Sequence, residues 1–258
     1  HHKKTMSKEN RINQYQSKYL TQFGFEAEMV KYRRNLVMER MDACQPKVVI
    51  EVGCGSDLLY RHYLETHEAV DQWIIVEPGS EFYGIAVASG LPNLTAIQNF
   101  FEDSIEQLQE CLPKPPDMII ISGVLHEVES PVKLIEAAKS IMDDHSVLHI
   151  NVPNATSFHR RLAKSMGLID STKELSGRNV KFMHYHVFDS ESLKKDIDSA
   201  GLTVFESGGY FVKPFTHEQM ESVAENVGEK VLDGLFLLGR ELPELASEIY
   251  IEAQRIEK

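Results

Sequence analysis

The sequence of 258 residues contains only three cysteines, Cys44, Cys54 and Cys111. Their spacing matches neither a metal knuckle nor a redox pair, and an odd number argues against a disulfide framework. Such sparse cysteine is typical of a reducing compartment, so we expect a cytoplasmic protein. No apolar run approaches the roughly 18 residues that span a membrane. No signal peptide precedes Met6, and residues 1–5 resemble the remainder of an expression tag.

Positive charge is also in short supply. The chain has 27 Lys and Arg residues against 39 Asp and Glu residues, which gives a formal net charge of −12. Such a field disfavours nonspecific binding to nucleic acid and to anionic lipid, because cationic surface supplies most of that attraction. The best candidate for a basic patch, His159–Arg161, is too short to reverse it. We therefore expect neither a nucleic acid nor a membrane as partner.

What the sequence does contain is an alternation of short apolar runs with amphipathic stretches. After an N-terminal helix predicted over Asn10–Met41, strands alternate with helices at a spacing that indicates βαβ units. Such units build a parallel sheet with helices on both faces. The predicted strands are Val48–Ile50, Trp73–Pro78, Leu94–Phe100, Asp117–Ser122, Ser146–Pro153, Leu202–Phe211 and Ser247–Arg255.

Two stretches interrupt this alternation. Residues 154–181 are polar, carry two glycines and are predicted to be an insertion with a short helix. Residues 216–238 are predicted to be helical, before the last strand. We expect residues 1–45 to be the tag remnant and a helical extension. Residues 46–258 would then form one α/β domain, with substrate-side insertions at about 154–185 and 214–242.

The glycine turn after the first strand decides the ligand class. Gly53 and Gly55 fit the first two positions of a dinucleotide fingerprint, but Leu58 occupies the third. Glu51, at the end of the strand, would repel a diphosphate and would suit a cationic group such as an ammonium. Glu77 ends the second strand, where an acid can accept both hydroxyls of a ribose. The pattern indicates a nucleoside joined to an amino-acid-like cation, without phosphates.

Four segments, in order and at the usual spacing, resemble class I S-adenosylmethionine-dependent methyltransferases: "VVIEVGCGSDLL", "WIIVEPGSEF", "NFFEDSIEQL" and "DMIIISGVLHEVESP". Two later segments, "VPNATSF" and "MHYHVFDSESLKKDIDSAGLTVFESGG", are similar to the branch that includes ubiquinone-biosynthesis O-methyltransferases and bacterial small-molecule and sugar methyltransferases. The resemblance covers about residues 48–209. It implies a Rossmann-like, seven-stranded, mostly parallel sheet with an antiparallel last strand and lid insertions. It also implies S-adenosylmethionine as cofactor and S-adenosylhomocysteine as product.

Matched position by position, the resemblance also implies which residues bind this cofactor. There are two departures from the family pattern: Asp57 stands where a third glycine is frequent, and the usual acid–histidine pair is reversed as His126-Glu127. The implied contacts are Glu51, Gly53, Cys54 and Gly55 to the methionine part; Glu77, Pro78, Phe101 and Glu102 to the ribose and adenine; and Ser122, Gly123 and Val124 beneath the sulfonium and its methyl group.

Several of these residues have a simpler explanation. Glu51 could cap the following helix, since carboxylates favour helix N-termini. Of Phe100 and Phe101, at least one is expected in the core. His184 and His186 lie on one face of an extended segment and could chelate a metal. No third ligand is identifiable, so we expect no metal site.

The resemblance implies methyl transfer to a small acceptor, and we expect a polar molecule methylated on oxygen, such as a sugar or a secondary metabolite. An oxygen acceptor of high pKa needs a general base, which is most often histidine. His126 and His186 are the two candidates. Two alternatives stay open: a nicotinamide-dependent oxidoreductase, and a non-catalytic methyltransferase-like subunit. Whether the chain forms a homodimer also stays open.

Overall fold

The computed structural model describes residues 24–173 and 186–255. Within these ranges a seven-stranded sheet is flanked by helices on both faces. The strands are β1 (Val48–Val52), β2 (Gln72–Val76), β3 (Leu94–Ile97), β4 (Met118–Ser122), β5 (Val147–Pro153), β6 (Thr203–Tyr210) and β7 (Glu248–Gln254). The α-helices are α1 (Glu26–Cys44), α2 (Leu59–Tyr63), α3 (Ser80–Ala88), α4 (Ile105–Cys111), α5 (Pro131–Ser140), α6 (Phe158–Ser165), α7 (Ser190–Ser199), α8 (His217–Val227) and α9 (Glu229–Glu241).

The strand order across the sheet is β3-β2-β1-β4-β5-β7-β6. The first five strands pair in parallel, whereas β7 runs antiparallel to both β5 and β6. This confirms the predicted Rossmann-like sheet with its antiparallel last strand. Between β1 and β4 the order reverses, so the helices that follow these two strands, α2 and α5, lie on opposite faces of the sheet. Ligands of such sheets bind in the crevice at this point.

The parallel strands are buried on both faces because helices cover both. Every residue of β1 is buried, as predicted from its continuous apolar run. Side chains of alternate residues enter two different clusters, one with α5 and α7 and the other with α1, α2 and α3. A third cluster joins α1, α8 and α9 to the ends of β6 and β7, through Phe25, Met29, Tyr32, Leu36, Tyr210, Phe211, Met220, Leu232 and Tyr250.

The alternation of apolar and polar residues that predicted β7 does not leave its polar face open. Glu248 and Glu252 are 4% and 2% exposed. Arg33 of α1 pairs with Glu248 at 2.6 Å, and Arg40 of the same helix pairs with Glu252 at 2.7 Å. The helix therefore docks on the sheet through ion pairs as well as through its apolar side chains.

Helix ends follow local chemistry. Of the helix predicted over Asn10–Met41, residues 10–23 lie outside the described part of the chain. Its described part runs on to Cys44 and stops where Gln45 takes a left-handed conformation, φ 50°, before Pro46. The helical stretch predicted over residues 216–238 consists of two helices, because Gly228 at φ 78° separates α8 from α9.

The insertion predicted at residues 154–181 is described as far as Lys173. This part contains the predicted short helix, α6. The sequence offers Asp189 or Ser190 as the N-cap of α7, and the structure has Asp189 there, in a capping box with Ser192. Gly201 follows α7 with φ 82°. Among the described helices, none combines the length and the apolarity that crossing a bilayer requires.

Candidate active site

The loops after β1 and β4 meet at the crevice between these strands. Gly53, Gly55 and Gly123 all have positive φ, at 76°, 63° and 67°, which glycine adopts without the penalty that a Cβ brings. A Cβ placed on Gly53 would lie 3.0 Å from Val124 Cγ2. The structure therefore brings the predicted glycine turn and the predicted residues after β4 into contact.

Asp57, which stands where the family pattern often has a third glycine, contacts side chains of two helices. Its Oδ2 accepts a hydrogen bond from Arg34 Nη1 of α1 at 3.0 Å, and its Oδ1 lies 2.8 Å from His62 Nε2 of α2. About half of its side chain is exposed. The departure from the three-glycine pattern thus links the turn to its flanking helices.

Glu77 lies directly after β2 and holds both neighbouring loops. Its Oε1 accepts the backbone N–H of Cys54 at 3.3 Å, and its Oε2 accepts that of Gly79 at 2.8 Å. Burial raises the pKa of this carboxyl, although the two backbone donors oppose the shift. A carboxylate oxygen has more than one lone pair, so each oxygen can still accept a ligand hydroxyl.

Glu51 is a buried acid with little to balance its charge. Trp73 Nε1 donates to its Oε1 at 3.2 Å, while Oε2 makes no hydrogen bond within the described residues. Burial raises the pKa of Glu51 to about 8, the Trp73 hydrogen bond opposes the rise, and the nearby charge of Glu77 adds to it. The alternative that Glu51 caps the following helix is wrong. The N-cap residue of α2 is Leu58, and no side chain makes a capping hydrogen bond there. A cation entering the crevice would complement this acid.

The remaining residues predicted to contact the cofactor differ in their exposure. Phe101 is 2% exposed and packs in the core, so Phe100 has more ring surface to offer a ligand. Pro78 and Glu102 are half-buried. Cys54 is buried, and its Sγ faces the Phe82 carbonyl at 3.7 Å, so its backbone is the part that borders the turn.

Ser122, the last residue of β4, is half-buried at the same crevice. Its hydroxyl lies within hydrogen-bond distance of both side-chain atoms of Asn151, at 3.1 Å from Oδ1 and 3.0 Å from Nδ2. The neighbouring Gly123 faces Arg33, whose Nη1 would lie 3.7 Å from a Cβ at that glycine. The sequence analysis missed Arg33. The available signal was its position one turn after Met29, on the buried side of α1.

The two histidines predicted as bases are brought together. The His186 backbone N–H donates to the His126 carbonyl at 3.0 Å, and His186 Nε2 lies 3.1 Å from the carbonyl oxygen of Glu129. His126 is 5% exposed, with its Nε2 3.5 Å from Glu127 Oε1. His184, which was considered with His186 as a metal ligand, lies outside the described residues.

His159 is electrostatically unusual. Its Nδ1 lies 3.1 Å from Ser157 Oγ. Burial lowers the pKa of His159 to about 2, and the charges of Lys213, His217 and Arg160 lower it further. Cationic side chains from α6 and from the segment after β6 therefore converge here, although the chain as a whole is acidic.

Within residues 24–173 and 186–255, no three His, Cys, Asp or Glu side chains are grouped so that they could hold a metal ion.

Comparison with known proteins gives a family for most of the chain. A family model described as a methyltransferase domain matches residues 27–207. The sequence has no significant match among curated proteins.

Solved structures with the same fold are numerous, and those below are 12–14% identical in sequence. The plantazolicin methyltransferase BamL, solved with a desmethylplantazolicin analogue and S-adenosylhomocysteine, is 12% identical. The match covers 96% of this chain and 97% of that one, at a TM-score of 0.62. A possible histamine N-methyltransferase from Thermotoga maritima is 14% identical over 95% and 100%, at 0.57. An O-methyltransferase from neocarzinostatin biosynthesis is 14% identical over 86% and 56%, at 0.51. These similarities establish the fold.

Proposed function

The chain belongs to a methyltransferase family, and on that premise we propose that it methylates an oxygen atom of a small polar acceptor. Its methyl donor is S-adenosylmethionine, which leaves as S-adenosylhomocysteine. The observation that carries the cofactor part of the proposal is the pair of buried acids, Glu51 and Glu77, at the carboxyl ends of neighbouring strands.

The residues present fit this cofactor. Among the described side chains only Trp73 donates to Glu51, through Oε1, and an ammonium group would supply the missing positive charge. Glu77 retains lone pairs for the two ribose hydroxyls. A diphosphate, in contrast, would meet an acid and would find no lysine or arginine in the turn Gly53–Asp57. This argues against the nicotinamide-dependent alternative.

We assign the cofactor contacts as the resemblance implied them, with Phe100 added beside Phe101. When bound, the cofactor supplies an electrophilic methyl group for an in-line displacement. The protein then has to position the acceptor and take up its proton. The proposed contacts are Glu51, Gly53, Cys54 and Gly55 for the methionine part; Glu77, Pro78, Phe100, Phe101 and Glu102 for the nucleoside; and Ser122, Gly123 and Val124 for the methyl group.

The proposed methyltransferase domain spans residues 46–258 and includes two insertions, at residues 154–185 and 214–242. The acceptor is proposed to bind between these insertions and the rest of the domain. Polar side chains support a polar acceptor, since His159 and His217 lie on these segments and Lys213 directly precedes the second one. His126 or His186 is proposed to accept the acceptor proton. The net charge of −12 supports a small molecule rather than a nucleic acid as substrate.

Thermal unfolding with two ligands tests the cofactor class. S-adenosylhomocysteine at about 100 times its Kd should stabilise the protein by about 2.7 kcal/mol. We expect NAD at the same concentration to leave the melting temperature unchanged. Stabilisation by NAD alone would favour an oxidoreductase, and no shift with either ligand would favour a non-catalytic subunit.

Cofactor affinity should depend on pH through Glu51. Its pKa of about 8 in the free protein exceeds the ordinary value of 4.5. A bound ammonium favours the ionised carboxylate, so binding releases a proton below that pKa, and affinity increases as the pH rises. S-adenosylhomocysteine should bind about tenfold more tightly at pH 7.5 than at pH 6.5.

Calorimetry in buffers of different ionisation enthalpy measures the released proton directly. Glu51→Gln should abolish this release and flatten the pH dependence. The control Glu110→Gln, at an exposed position of α4, should retain both. A wild-type affinity that is constant between pH 6.5 and 7.5 would rule out an ammonium contact with Glu51.

A further inference from the structure

A continuous chain of hydrogen bonds crosses β7, β5 and β4 on the face that α1 covers. Arg40 donates to Glu252 Oε1 through Nε at 3.0 Å and Nη2 at 2.7 Å. Glu252 Oε2 lies 3.1 Å from His149 Nδ1. Asn151 Nδ2 lies 2.9 Å from His149 Nε2 and 3.0 Å from Ser122 Oγ. We call Arg40, Glu252, His149 and Asn151 the polar relay.

The strand register explains why these side chains meet. His149 pairs with Glu252, and Asn151 pairs with Ser122, so the alternation of side chains places all four on one face. His149 and Asn151 are 0% exposed and Glu252 is 2% exposed. A buried polar network of this kind is stable only when each donor faces an acceptor, so its hydrogen positions are strongly constrained.

The negative charge of Glu252 determines which atoms of the polar relay donate hydrogen bonds and which accept them. Burial pushes the pKa of Glu252 upward, but hydrogen bonds from His149 and Arg40 outweigh this and leave the pKa below its ordinary value. An ionised carboxylate can only accept, so His149 Nδ1 carries the hydrogen. His149 Nε2 is then the acceptor, and the Asn151 amide must turn its N–H groups toward His149 and Ser122.

This orientation leaves the Ser122 hydroxyl as a donor. Its oxygen accepts from Asn151 Nδ2, while its proton can point to Asn151 Oδ1 at 3.1 Å or to another oxygen. Rotation of the hydroxyl toward a ligand keeps the Nδ2 hydrogen bond. Reversal of the amide would set its oxygen 2.9 Å from His149 Nε2, acceptor against acceptor, so the polar relay keeps Nδ2 as the donor to the Ser122 oxygen.

Ser122 lies beside Glu51 at the crevice. Glu51 is opposite Ile120 in the register of β1 and β4. Ser122, two residues beyond Ile120, therefore lies on the same face as Glu51, with the two Cα atoms about 8 Å apart. Glu51 suits an ammonium group, and Ser122 suits a carboxylate. An α-amino acid carries both groups on one carbon.

We propose that the Ser122 hydroxyl, instead of lying beneath the methyl group with Gly123 and Val124, donates to the carboxylate at the amino-acid end of the cofactor, and that the polar relay keeps it oriented as this donor. Ser122 is thus a binding residue, whereas Glu252, His149 and Asn151 are positioning residues. The proposal rests on the proposed function, because it concerns the same cofactor.

A double-mutant cycle measured by calorimetry tests the relay. Ser122→Ala should weaken S-adenosylhomocysteine binding about tenfold. Glu252→Gln removes the charge with little change in shape and should weaken binding about fivefold. The double variant should bind no more weakly than Ser122→Ala, because Glu252 acts only through Ser122. If the losses of affinity in the two single variants multiplied in the double variant, the relay would be contradicted.

Two comparisons isolate the amino-acid end. Methylthioadenosine, which lacks that end, should bind Glu252→Gln and wild type equally. The control Glu206→Gln, on β6 with its carboxylate 3.0 Å from the Tyr250 hydroxyl, should bind S-adenosylhomocysteine like wild type. A loss of methylthioadenosine affinity in Glu252→Gln would indicate a general distortion of the site and overturn the proposal.

A measurement on the wild-type protein covers the case in which Glu252→Gln does not fold. Nitrogen-15 NMR of the histidine rings should show His149 protonated at Nδ1 and not at Nε2. Protonation at Nε2 would overturn the relay. Wild-type protein that does not bind S-adenosylhomocysteine would contradict the proposed function itself, whereas tight binding that neither variant changes would contradict only the relay.

Discussion

Replacement of His126 with alanine is expected to lower kcat by at least about 100-fold, the lower end of what a general base contributes. His126 follows β4, next to the residues proposed to lie beneath the methyl group. Its ring is 5% exposed, and its Nε2 lies 3.5 Å from Glu127 Oε1. An acid at this distance stabilises the imidazolium that forms when the acceptor loses its proton.

His186→Ala is the companion variant, with the same expected loss if His186 is the base instead. We rank it second because its Nε2 contacts the Glu129 carbonyl. The control His145→Ala replaces an exposed histidine that precedes β5, at the opposite edge of the sheet. Turnover of the identified acceptor should fall in only one of these variants, with S-adenosylhomocysteine affinity retained. Nearly full turnover in both His126→Ala and His186→Ala would mean that positioning alone drives the transfer.

Glu77→Ala should weaken S-adenosylhomocysteine binding by about 1–3 kcal/mol, the scale of hydrogen bonds to a charged group. The variant loses the proposed ribose contacts. It also loses the acceptor for the N–H groups of Cys54 and Gly79, which tie the loops after β1 and β2 together. Both losses act in the same direction, so the effect should be among the largest of any single cofactor-site variant.

Calorimetry with a deoxyribose analogue separates the two losses. If Glu77 binds the ribose hydroxyls, removal of a hydroxyl should weaken binding to the wild type more than to Glu77→Ala. Glu110→Ala, at an exposed position of α4, is the matched control and should bind like wild type. Unchanged affinity of Glu77→Ala would remove this residue from the cofactor site.

The sequence was sufficient for most of the fold because its signals are local. A continuous apolar run such as Val48–Ile50 predicts a strand with both faces buried, and the structure has β1 there. The start of α7 was predicted at Asp189 or Ser190, and Asp189 caps the helix through a contact between neighbours in the chain. Helices were predicted over residues 216–238, but the break at Gly228 was not placed, because an isolated glycine is tolerated within a helical pattern.

The candidate site also contains residues that could be predicted from the sequence and residues that could not. Glu51, Gly53 and Glu77 could be predicted because each lies at a strand end, and strand ends of a parallel sheet share one edge. Phe101 could not be distinguished from Phe100, because packing decides which ring faces the core. Arg33 was missed because its function depends on where α1 docks.

By itself, the sequence determined the parallel sheet, the glycine turn and the two acids at strand ends, since periodicity and turn chemistry act between near neighbours. Only the tertiary structure decided the partners of the buried polar groups. Glu252 meets His149 and Arg40 across separations of 103 and 212 residues. Such pairings depend on strand register and helix docking, which are set by the whole core and leave no local pattern in the chain.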